Sequence, residues 1–94
     1  MNKENKRRIL DAQARRGEEA QRLLDNVLLQ ETFGAMERDI LATMKRLKPN
    51  DEEGRDVCWR ELRALERFKG KFRSYVATGE NAQKGLLQLL KSKF

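Results

Sequence analysis

From Leu29 the apolar positions of this chain fall at Phe33, Met36, Ile40, Met44 and Leu47, and these steps of three and four residues trace one stripe along a helix. A second stripe with the same rhythm runs through Cys58, Leu62, Leu65, Phe68, Phe72 and the Tyr75–Val76 pair. Between the stripes, Lys48-Pro49-Asn50-Asp51 predicts a loop, because proline disfavours helix at the residue before it and either Asn50 or Asp51 can cap the next helix. Thr78-Gly79 predicts a stop for the second helix, since glycine tolerates the left-handed conformation in which helices end. Beyond it, Ala82, Leu86, Leu87, Leu89, Leu90 and Phe94 give the pattern of a short amphipathic helix, with Lys91 and Lys93 at the end where the helix dipole favours bases.

The first segment, about residues 3–24, is helical for a different reason. Glu4, Asp11 and Glu18 recur every seven residues, and Arg8, Arg15 and Arg22 come four residues after each of them, the favourable orientation for acid-to-base pairs on a helix. Its apolar side is thin: Ile9, Ala12, Ala20 and Leu23 lie on one line, with Leu10, Ala14, Gly17 and Leu24 beside it. Such small residues permit close approach of another helix, yet a helix this polar is also able to project as an arm. Asp25-Asn26 offers a cap pair that separates it from the next helix. The expected fold is all-α: a three- to four-helix antiparallel bundle or helical hairpin with terminal helices, in one domain over 1–94, with 1–8 a candidate flexible basic tail.

Composition narrows the function classes. With 94 residues and 11.0 kDa there is one core and no spare volume for a deep pocket. One Pro, six Gly and few β-branched residues agree with an almost wholly helical chain. Histidine is absent, which removes the commonest general base and metal ligand. The lone Cys58 forms no intramolecular disulfide and no thiolate cage, and beside Trp59 on an apolar face it reads as an inert buried thiol. No apolar run exceeds three residues, far short of the roughly 20 needed to span a bilayer. The basic, polar start shows no secretory signal. These features lead us to expect a non-enzymatic protein with no cofactor, no metal, no membrane and no small-molecule substrate.

The net charge of +6 is unevenly spread. Residues 1–24 carry +3, 25–50 are neutral, 51–79 carry +1 and 80–94 carry +2. Two basic features are candidates for an anionic partner: the cluster Lys3, Lys6, Arg7 and Arg8, and the line Arg60, Arg63, Arg67 and Lys71, which shares one helix face. Each has a plainer explanation. A basic terminus solubilises, and the second helix begins with Asp51, Glu52, Glu53 and Asp56 and ends in bases, as the macrodipole favours in any long helix. The run Arg67-Phe68-Lys69-Gly70-Lys71-Phe72-Arg73-Ser74-Tyr75 interleaves bases and aromatics as a nucleic-acid-stacking strand would, but its aromatics continue the helical stripe and no partner strand is visible. Trp59 is a candidate partner anchor or a cap on a small core. Met36 and Met44 read as core fillers. Gly70, in the middle of a helical pattern, points to a close helix crossing at that place.

Three stretches carry a resemblance: Leu23-Leu24-Asp25-Asn26-Val27-Leu28-Leu29-Gln30-Glu31-Thr32-Phe33, then Asp51-Glu52-Glu53-Gly54-Arg55 leading to Trp59 and Leu62, then Val76-Ala77-Thr78-Gly79 leading to Ala82 and Leu86. In order and spacing, over about residues 10–90, they resemble small uncharacterised helical proteins of tailed bacteriophages and prophages. Where that pattern has proline after Asp25, this chain has Asn26. The resemblance carries over no catalytic or binding residue. It implies a phage setting, in the host cytoplasm or the virion: a minor virion or head-assembly component, or a small factor acting on a host protein. The small polar core, the under-filled first helix and the leftover apolar residues of the C-terminal segment lead us to expect action by protein–protein contact or self-association. A DNA-binding or packaging accessory using a basic helix face is the alternative, and a small inhibitor of a host or defence enzyme a further one.

Overall fold

A computed structural model describes residues 2–92, and among them it holds three helices and no strand: α1 (Lys3–Leu24), α2 (Val27–Arg46) and α3 (Glu52–Lys91). Each start is fixed by a side-chain cap that satisfies an otherwise orphaned backbone N–H. Asn2 Oδ1 accepts from Asn5 N at 2.8 Å, Asn26 Oδ1 from Leu29 N at 2.9 Å, and Asp51 Oδ1 from Gly54 N at 2.8 Å. The helix therefore begins at Lys3, inside the segment that the sequence leaves open as a tail. α2 ends two residues before Lys48, the residue that Pro49 holds out of helix, and Arg55 Nη1 donates to the Pro49 carbonyl at 2.6 Å across the turn.

Contacts divide the chain into two units, Met1–Leu24 with Lys71–Phe94, and Asp25–Gly70. In the first unit, α1 runs antiparallel to the C-terminal part of α3. Leu10 lies against Gly85, Gly17 against Gly79, and Arg16 over Tyr75. The centre of this pair is backbone on backbone. A Cβ added at Gly17 would sit 2.8 Å from Gly79 Cα and 2.9 Å from the Tyr75 carbonyl oxygen, and one added at Gly79 would sit 2.8 Å from Gly17 Cα. Ala14, Ala20 and Ala82 are buried on either side of the contact. The small residues of the first segment thus serve close approach, and α1 packs within its unit.

Gly79 is where the structure departs from the sequence reading. No glycine among the described residues has a positive φ, and α3 continues through Thr78-Gly79 without interruption. The glycine is needed because a neighbouring backbone occupies the place of its side chain, and it ends nothing. The expected separate terminal helix is therefore the last turns of α3, which leaves three helices, each unit being by itself a helix pair. Lys93 and Phe94 lie outside the described residues. The crossing expected at Gly70 is also absent, since a Cβ there would meet nothing within 4 Å. Residues 67–75 are helical throughout, so the strand reading falls.

In the second unit, α2 and the first part of α3 form a hairpin around Pro49. Here large side chains fill the contact: Phe33, Ile40, Cys58 and Leu65 are buried, and Phe33 meets Phe68 edge to face with ring centroids 5.8 Å apart. Lys69 crosses from α3 to close one side, its Nζ 5.7 Å above the Phe33 ring and 4.0 Å from Glu37.

Glycine substitution separates the two situations. Gly70→Ala is expected to stabilise the fold by about 0.5–1 kcal/mol through helix propensity alone. Gly79→Ala is expected to destabilise it, because the added methyl forces the helices apart. Urea denaturation monitored by circular dichroism reads the opposite signs, and a gain in stability at position 79 contradicts the crossing.

Candidate functional site

Packing against α3 leaves part of the apolar face of α2 uncovered. Phe33, Ile40 and Leu65 form the floor of an open groove of about 700 Å³, with Leu29 half-buried at its margin. Met36 and Phe68 stand up from that floor, 47% and 55% exposed. Thr32 and Asp39 border it on α2, and Glu61 and Ala64 on α3. Met36 and Phe68 are thus edge residues and not the core fillers their place in the stripe predicts. A two-helix contact is a line, and they belong to the apolar band beside that line. Met44 is half-buried, consistent with a filler.

The signal for this groove was present in the chain. Leu29, Thr32 and Met36 lie at helical spacing beside Phe33 and Ile40, and Ala64 and Phe68 do so beside Leu65, so both stripes are wider than one contact requires. Width alone leaves open which edge a neighbour covers.

The basic candidates are placed apart. Trp59, 56% exposed, shares a shallow shelf on α3 with Arg60, Arg63 and Asp56, and Arg67 is exposed further along the helix in the same unit. Lys71 belongs to the first unit, where its Nζ stands 5.7 Å above the Tyr75 ring. Near the N-terminus Lys3, Lys6, Arg7 and Arg8 are all exposed on the first turns of α1. Lys3 and Arg7 share a smaller groove with Glu4, Asp11, Leu86, Leu89 and Leu90, so acids interrupt the positive charge there.

Charge divides sharply between the units. The second, residues 25–70, holds nine bases and ten acids, a net −1; since the whole chain carries +6, the first carries +7. The groove of the second unit lies in a nearly neutral body.

No group of three or more His, Cys, Asp or Glu that could hold a metal occurs among the described residues, and no polar or charged residue among them is buried. Among the described residues no helix is long and apolar enough to cross a membrane. What the groove offers chemically is apolar contact area framed by single charges. No family model, curated protein or solved structure matches the chain.

Cys58, only 3% exposed, reports on the same hairpin from its buried side. Its thiol is expected to react with an aromatic disulfide reagent no faster than the hairpin opens, and at the free-thiol rate in denaturant. Fast labelling of the native protein contradicts this packing.

Proposed function

We propose that this is a non-enzymatic helical protein that acts through protein–protein contact, and that the groove between α2 and α3 is its contact surface. The observation that carries the reading is the exposure of Met36 and Phe68 at the edge of an otherwise apolar floor. Aromatic and methionine side chains in a contiguous patch are the composition of an interface core, and single exposed apolar residues scattered over a surface are not. Taken with the resemblance to small proteins of tailed phages, the reading becomes a minor virion or head-assembly component, present in the host cytoplasm or the assembled particle.

A second reading, a DNA-binding or packaging accessory, draws on the exposure of Trp59, Arg60, Arg63 and Arg67 along one helix. It predicts affinity that falls steeply with salt, with a slope reduced by about one for each phosphate contact removed. The −1 charge of the unit that holds these arginines weighs against it.

Site-specific photo-crosslinking in producing cells tests the first reading. A photoreactive residue at Met36 is expected to give protein adducts identifiable by mass spectrometry, and one at Glu31, exposed on α2, is expected to give far fewer. Equal yields at the two positions, or no protein adduct at Met36, would sink it.

A further inference from the structure

We infer that the shelf around Trp59 takes an unpaired nucleic-acid strand: a base stacks on the indole while neighbouring phosphates meet Arg60 and Arg63. This rests on the second reading of the function and narrows its ligand to a strand without a complement.

Trp59, Arg60, Arg63 and Asp56 line the shelf, all of them on α3. Trp59 is 56% exposed although Cys58 beside it is buried, so a flat aromatic ring of large area stands in solvent. Arg63 follows Trp59 by four residues and Arg60 by three, the spacings that make side chains neighbours on a helix. Among the described residues no hydrogen bond, ion pair or ring contact engages the indole or either guanidinium. Uncommitted guanidiniums beside an exposed aromatic ring are the means by which proteins hold unpaired bases and their backbone.

The same lining disfavours other ligands. Trp59 is the one apolar side chain on the shelf, so a protein segment would find a single anchor and no contiguous apolar core to bury. A duplex keeps its bases stacked on one another, and the indole gains a stacking contact only with a base already out of its stack.

Local charge permits an anion here. The net −1 of the unit is a sum over several faces. Asp39 and Glu61 line the α2–α3 groove, Glu37 and Glu66 lie within 4.0 Å of Lys69 Nζ, and Asp51 caps α3. On the shelf two bases stand against one acid, Asp56, which suits a strand held at two phosphates with stacking supplying the rest.

Trp59 is the single tryptophan of the chain, so its fluorescence reports the shelf directly. The purified full chain is titrated at about 50 mM salt with a short oligodeoxythymidylate, the matching oligouridylate and a DNA duplex of equal length. Either single strand is expected to quench the emission and to bind at least about 10-fold more tightly than the duplex, and the tighter of the two tells DNA from RNA. The association constant is expected to fall with salt on a log–log slope near about −1.4, roughly 0.7 for each of two phosphate contacts. By anisotropy of a labelled strand, Trp59→Ala is expected to weaken binding about 10-fold, Trp59→Phe to recover part of the loss, and Arg63→Gln to reduce the slope by about 0.7. These exposed positions are expected to tolerate substitution with an unchanged circular dichroism spectrum, and Met36→Glu, in the groove, to bind the strand as wild type does. No quenching by either strand, strand binding indifferent to Trp59→Ala, or a blue shift with a polyglutamate peptide that no strand produces overturns the inference, the last by assigning the shelf to an acidic protein. Duplex binding as tight as strand binding overturns this step and leaves the second reading standing, whereas absence of binding to strand and duplex alike ends both.

Discussion

Two helices in contact can bury a line of side chains and no more. A residue on that line is covered by its partner from one direction, and the flanks to either side stay open unless a third element closes them. Each unit of this protein is such a pair, which is why helical content is high while no described side chain is fully enclosed. In proteins most of a helix's stability comes from tertiary packing of its apolar face, so the quality of each line decides how well each pair holds.

The chain meets that limit in two ways along α3. In the first unit it reduces side chains to nothing: Gly17 and Gly79 bring the backbones into contact, and Ala14, Ala20 and Ala82 continue the close approach. Close approach of this kind brings backbone atoms into direct contact, where dispersion acts at short range. In the second unit large side chains separate the helices. Phe33 and Phe68 meet edge to face, Ile40 and Leu65 are buried with Phe33, and a wider opening lies beside them. The groove opens beside this contact, with Phe33 in its floor and Phe68 at its edge.

Charge respects the same division. The pair built on small residues carries +7, and the pair with the open groove carries −1. The bases near the N-terminus sit in the first unit among Glu4, Asp11 and Glu18, whereas Arg60, Arg63 and Arg67 stand in the unit whose net charge is −1.

By itself the sequence determined the helices and most of their ends. Residues three and four apart share a face whatever surrounds them, and Asn26, Asp51 and Pro49 act on backbone groups within a few positions of themselves. The same local logic identified Cys58 as buried and α1 as suited to a close neighbour. It failed at the glycines. Gly79 looked like a terminus and is a crossing, and Gly70 looked like a crossing and faces open space. It failed also at Met36 and Phe68, which sit in the stripe yet stand at its uncovered edge. Only the tertiary structure decided these, for one reason: a glycine's role and a stripe residue's burial depend on what lies opposite. Here that is a segment about 60 residues away for Gly17 and Gly79, and about 35 for Phe33 and Phe68. Periodicity records which positions share a face and carries no information about which part of that face a partner covers.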